Sequence, residues 1–212
     1  VRQRTLSVRQ AWCFTAAFTL WGLMLHLVAA TAPKMLPGAE LALPFLWPNT
    51  EGSYAARVPE ARSPGRFLAG YADSLDVSTD ASSPRFARIH HPHVHPPGII
   101  LGFAALEALF DASPSLAAAA EEALGRLLPT SRVLRDVQLV PLHHHVAVAA
   151  TMALLLLAAA SLAPLLAFLA ARRFMTREAA VAAAAVAALI PGTYLFSPSI
   201  DQAYPTLTLL LI

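Results

Sequence analysis

Histidine is the most concentrated chemistry in this chain. Between apolar stretches runs His90-His91-Pro92-His93-Val94-His95-Pro96-Pro97-Gly98. His91, His93 and His95 alternate, so in an extended, proline-held strand they project to one side. A second cluster, His143-His144-His145, stands at the start of a long apolar run. Neutral imidazoles at this density can bind Zn, Cu or Ni. They can equally hydrogen-bond water, phosphate or backbone, and the prolines make the first loop a poor ligand-bearing helix. Carboxylates surround these clusters. Glu51, Glu60, Asp73, Asp76, Asp80 and Asp136 lie in the polar region after the first apolar run, and most of them are expected to be solvated loop acids. Asp201 lies in Ser197-Pro198-Ser199-Ile200-Asp201-Gln202-Ala203-Tyr204-Pro205, between two apolar runs. An acid so placed is costly unless used or exposed; it is either a site carboxylate or the N-cap of the helix that follows. Arg85 and Arg88 precede the histidines. A lipid phosphate needs such cations to hold it, and anionic headgroups or solvent would hold them equally well.

The elements that must position these groups are apolar. Of the 212 residues, 57% are hydrophobic and 13% charged, an excess and a deficit relative to soluble domains. The excess falls in blocks, which predicts an all-α integral membrane protein, a multi-span helical bundle. A net charge of +2 is too small to suggest a nucleic-acid partner. Cys13 is the single cysteine, so an intrachain disulfide and a cysteine zinc site are both excluded; in its apolar run it is expected to be a small packing residue.

Spans are predicted at about 10–33, 146–171, 179–196 and, cut short, 203–212, with an outer loop over 34–145. A cleavable signal peptide is the rival for the first, because Ala30-Thr31-Ala32 fits the small-x-small pattern. The run is longer than a usual signal core, and Pro33 should hinder cleavage. Pro33, Pro37, Pro44, Pro48, Pro59, Pro64 and Pro84 punctuate 33–96, so long regular elements are not expected there. Phe67, Leu68, Tyr71 and Leu75 at helical spacing predict one short helix over Pro64 to Leu75. A helix starting at Pro97 and running through Phe110, interrupted by Glu107, is too short for a comfortable span. Ser113-Pro114 opens an amphipathic helix over Ser115 to Leu128, with Glu121, Glu122 and Arg126 on its polar face, suited to the interface or to packing on the protein. If Pro97 to Phe110 does not cross, Arg2, Arg4, Arg9 and the loop Arg172-Arg173-Phe174-Met175-Thr176-Arg177 share the cytoplasmic side, as the positive-inside rule asks. Both histidine clusters and Asp201 then share the outer face. The truncated last run suggests the N-terminal part of a longer protein.

Two of these segments resemble the GT-C fold of membrane glycosyltransferases, the class of the dolichyl-phosphate-mannose protein mannosyltransferases and their bacterial polyprenyl-phosphate-sugar-dependent relatives. The first is His95-Pro96-Pro97-Gly98 leading into Ile99-Ile100-Leu101; the second is Phe196-Ser197-Pro198-Ser199-Ile200-Asp201-Gln202-Ala203-Tyr204. The resemblance covers nearly all of 1–212, as the N-terminal part of one such membrane domain. It implies a multi-pass plasma-membrane protein with a cytoplasmic N-terminus and a large first extracytoplasmic loop carrying short interfacial helices. It implies inverting transfer of a sugar from a polyprenyl-phosphate carrier to a glycan, lipid or protein acceptor. Glu51, in Glu51-Gly52-Ser53-Tyr54, is the best match to the family's first-loop acid, with Asp73 and Asp80 as rivals; Arg57 departs from the pattern where similar sequences often carry another acid. Asp201 matches the second-loop acid, as a metal-binding or acceptor-orienting carboxylate. His95 falls to the donor phosphate or to a structural contact, and Arg88, His93, Gln202 and Tyr204 join it as substrate-binding residues. The leaving phosphate needs positive charge, from Arg, Lys or a divalent metal ion, the cofactor this chemistry admits. Catalysis is a property of the parent protein, and the truncated chain need not be active.

Two other classes compete. A His-rich metal-binding membrane protein or transporter predicts more ionisable groups inside the spans, where only His26 is found. A noncatalytic membrane scaffold predicts that Glu51 and Asp201 lie far apart.

Overall fold

A computed structural model describes residues 5–31, 42–46, 52–76, 97–127, 140–190 and 204–211. Among the described residues it is all-helical, with ten helices and no strand: α1 (Val8–Thr31), α2 (Leu43–Leu46), α3 (Gly52–Ala55), α4 (Val58–Ala61), α5 (Pro64–Asp76), α6 (Gly98–Ala112), α7 (Pro114–Leu127), α8 (His145–Ala171), α9 (Arg177–Leu189) and α10 (Tyr204–Leu210). The chain divides into two compact units, one of residues 1–30 and 154–212, the other of residues 31–153.

Two helices are long and apolar enough to cross a membrane, over Val8–Ala29 and His145–Ala171. Each exceeds the roughly 20 apolar residues a span requires. Their surfaces agree with a lipid setting. On α1, Trp12, Phe14, Leu20, Trp21, Met24 and Val28 are exposed, as are Leu154, Leu155, Leu162 and Leu169 on α8. So much apolar surface on one helix is unfavourable in water and natural in hydrocarbon. Cys13 is exposed on α1 as well, which corrects its expected packing role: its helix position turns it away from the unit's interior.

In the unit of residues 1–30 and 154–212, α1 starts with a capping box. Ser7 Oγ accepts from the Gln10 N–H at 3.2 Å, and Gln10 Oε1 accepts from the Ser7 N–H at 2.9 Å, so two of the helix's orphan donors are satisfied reciprocally. Ala11 and Phe168 pack with Ala180 and Ala184 of α9, and Trp12 meets Phe168 edge-on at 5.3 Å. Ala180, Ala184 and Ala188 recur every fourth residue and are fully buried, which brings the α9 backbone close to its neighbours. Thr176 caps α9, its hydroxyl accepting from the Ala179 N–H at 3.3 Å. Glu178 Oε1 accepts from the Leu6 N–H at 2.6 Å and Arg177 donates to the Leu6 carbonyl at 3.0 Å. The helix ends at Ile190, whose backbone is extended, as the proline at 191 demands of its predecessor. Its 13 residues span about 20 Å, less than a bilayer; the rest of the predicted 179–196 span lies outside the described residues. The predicted last span is represented by α10, whose buried Thr206 donates to the Ala159 carbonyl at 2.6 Å, five residues before the intrahelical Pro164.

In the unit of residues 31–153, the prolines have the expected effect: α2, α3 and α4 are four residues each. The predicted short helix is present as α5, where Phe67 and Tyr71 stack edge-on at 5.3 Å, with the Arg57 guanidinium over both rings at 5.8 and 5.5 Å. Helix α6 packs on α3 and α4 and begins at the expected place, with Pro97 as its N-cap. Its buried stripe is Ile100, Phe103, Glu107 and Phe110, one face of a helix. Gly102 lets α8 approach closely: an added Cβ would meet Met152 Cε at 3.0 Å. Ser113 then leaves the helical region, φ −137° and ψ 77°, because Pro114 follows it, and α7 departs at 110° to α6. The bent pair is either a broken third span or a segment that does not cross.

Candidate functional site

The sites expected from the sequence fall mostly on residues about which the structure is silent. Glu51, Arg88, His93, His95, Asp201 and Gln202 all lie outside the described residues, as do Asp80 and Asp136. Asp73 falls within α5, and Tyr204 opens α10, half-buried. The expected approach of Glu51 to Asp201 therefore lies outside the described residues too.

The described residues assemble a different polar group, around the α6–α7 bend. Helix α6 contributes Glu107 and Asp111, four residues apart and so one above the other on one face. The second histidine cluster contributes the rest. The backbone turns through Val140 and Leu142, whose side chains are buried, and so carries His143 and His144 to the C-terminal half of α6 just before α8 begins. His143 Nδ1 lies 3.2 Å from Asp111 Oδ1. His144 Nε2 lies 3.8 Å from the same oxygen, and its Nδ1 lies 3.6 Å from Glu121 Oε1 of α7. The His144 ring also rests edge-on against Phe110 at 6.2 Å. His145, the first residue of α8, is buried.

Glu107 is the unusual member. Its side chain is only 3% exposed, yet it carries a carboxylate in an otherwise apolar stripe. Its partners are Arg62, at 3.4 Å, and the backbone N–H of His143, also at 3.4 Å. Both contacts are at the long end of the hydrogen-bond range. Arg62 itself is half-exposed, so solvent shares in its charge. By contrast Arg126 and Glu122 pair on the outer surface of α7, a solvated face as expected. In sequence Glu107 stands only as an interruption of an apolar run, and Asp111 falls outside the candidate acids. The signal was present: an acid on the apolar stripe of a short helix, with a second acid four residues on and a histidine run preceding the next span.

Chemically the group combines acceptor-only carboxylates with imidazoles that both donate and accept. It can pass protons, bind hydroxyls or hold a cation. No protein family, curated protein or solved structure matches the chain.

Proposed function

We propose that the protein is a membrane glycosyltransferase of the GT-C type, moving a sugar from a polyprenyl-phosphate carrier to an acceptor at the extracytoplasmic face. The observation that carries this reading is helix α6, which starts at the Pro97-Gly98 end of the segment His95-Pro96-Pro97-Gly98. Helix α6 has 15 residues, about 22 Å, and then bends by 110° into α7. A short helix with a sharp turn and a buried carboxylate suits a segment lying at the membrane surface better than a span. Surface helices behind the proline-proline-glycine segment are what the resemblance implies. The segment around Asp201 supports the reading from the sequence side.

In this reading the acceptor hydroxyl oxygen bonds to the anomeric carbon on the face opposite the phosphate. The anomeric carbon–oxygen bond to the phosphate breaks, and polyprenyl phosphate leaves with the electron pair. Glu51 takes the acceptor proton as general base. Asp201 orients the acceptor or holds a metal ion, with Gln202 and Tyr204 beside it. Arg88, His93 and His95 stabilise the departing phosphate. The carrier's tail remains in lipid throughout, so the reacting sugar is presented at the bilayer surface.

The test is transfer of radiolabelled sugar from polyprenyl-phosphate donors, in membranes carrying the protein in its native length. At matched expression, Asp201→Asn and Glu51→Gln should each lower transfer by about a hundredfold or more, the scale of a lost general base. Full transfer by both variants would remove these two residues from the site. Absence of transfer with every donor tried would remove the enzyme.

A further inference from the structure

We propose that Glu107, Asp111 and His143 form a binding site for a first-row divalent metal ion of the Zn2+ class. This goes beyond glycosyl transfer and does not depend on it. One ligand atom from each residue, a carboxylate oxygen from Glu107 and from Asp111 and a ring nitrogen from His143, lies within 4.8 Å of both others. The Asp111 Oδ1 to His143 Nδ1 separation is 3.2 Å. Two ligands bound tetrahedrally at normal zinc distances stand about 3.4 Å apart, so this edge is already near its bound length. Small rotations of the Glu107 carboxylate would bring in the third.

Charge and burial favour an ion there. Glu107 has been taken out of water and, among the described residues, receives only two long hydrogen bonds. A buried carboxylate that poorly compensated is unfavourable. Asp111 adds a second negative charge, and among the described residues it contacts only His143 and His144. Among the described residues, one half-exposed guanidinium, that of Arg62, stands against two carboxylates. The net negative charge that remains favours a cation. The mixed oxygen and nitrogen donor set suits Zn2+ and its neighbours better than Ca2+ or Mg2+, which prefer oxygen alone.

The surroundings also suit a metal site. His144 and Glu121 form a chain ending on the Asp111 oxygen, the arrangement in which an outer partner fixes a ligand's orientation. Two ligands sit one turn apart on the rigid α6. The third is held by the turn anchored through the buried Val140 and Leu142. Three protein ligands leave one tetrahedral position open for water or a substrate oxygen.

The experiment is titration of the purified protein, in detergent, with Co2+, followed by displacement with Zn2+. The visible absorption of Co2+ reports its coordination without any assay of activity. The wild type should give an intense tetrahedral-type spectrum that Zn2+ abolishes. Asp111→Asn and His143→Ala should each weaken Zn2+ affinity by about a hundredfold or more, and His144→Ala by about tenfold, as loss of an outer partner does. The substituted ligands are exposed enough to leave the fold intact, which metal-free melting temperatures will verify. A wild type without the spectrum overturns the site. So does a spectrum that survives either ligand substitution, as it would if the histidines between 90 and 95 held the ion.

Discussion

Glu107 occupies a position where α6 otherwise carries Ile100, Phe103 and Phe110. Its pairing with Arg62 is therefore more consequential than the chain's surface pairs. Removing Arg62 leaves a buried carboxylate with one long backbone hydrogen bond among the described residues. Discounted for the solvent that reaches Arg62, Arg62→Gln should destabilise the metal-free protein by about 1–2 kcal/mol. Glu122→Gln, at the exposed Arg126–Glu122 pair, should cost less than about 1 kcal/mol. Thermal unfolding of both variants in one detergent checks the ranking; equal effects would mean that Glu107 is not reliant on Arg62. Glu178 behaves differently. Hydrogen bonds from its own backbone and from Leu6 hold its carboxyl below the usual range. A depressed folded-state pKa stabilises the fold above the unfolded value and loses that contribution as pH falls through the folded one. Acid should thus loosen the Leu6 tether, and Glu178→Gln should flatten the acid limb of a melting-temperature profile against pH. What the sequence showed at this scale was the presence of histidines and acids. It did not show that His143 meets Asp111 across 32 positions, because local periodicity carries no information on tertiary pairing.

Helices were the legible level. The apolar lengths of α1 and α8 and the spacing of Phe67 and Tyr71 announced three elements. Pro97 and Ser113-Pro114 announced two more, since proline constrains its own backbone and its predecessor's. The 110° turn between α6 and α7 was not legible, because the same proline rule ends a helix without fixing the direction of the next. The four-residue helices α2 to α4 were illegible for another reason: segments so short are held by packing of Phe45, Leu46, Tyr54 and Val58, not by propensity. The alanine run of α9 read as a span; the structure assigns part of it a packing role through Ala180, Ala184 and Ala188. Ala184→Leu would force a large side chain into a fully buried position and should destabilise by about 1–3 kcal/mol. Val186→Leu, at an exposed position on the same helix, should be nearly neutral. Melting temperatures of the pair test the assignment, and a neutral Ala184→Leu would show that this stripe is not closely packed.

The whole molecule turns on whether the α6–α7 pair crosses the bilayer. The glycosyltransferase reading requires that it does not, since only then do both histidine clusters share the outer face while Arg172 and Arg173 stay with the N-terminal arginines. The sole cysteine makes this measurable: Cys13→Ala gives a cysteine-free background without emptying a buried position. Ser63→Cys lies before the pair, Pro141→Cys after it, and Met175→Cys in the basic loop; all three positions are exposed. In intact cells an impermeant maleimide should label Ser63→Cys and Pro141→Cys, and should reach Met175→Cys only after permeabilisation. A crossing pair reverses the last two, leaving Pro141→Cys protected and Met175→Cys labelled. That pattern would put His143 on the cytoplasmic side and the basic loop outside, against the charge rule. It would also divide the two histidine clusters between opposite faces, and a single extracytoplasmic site could no longer use both.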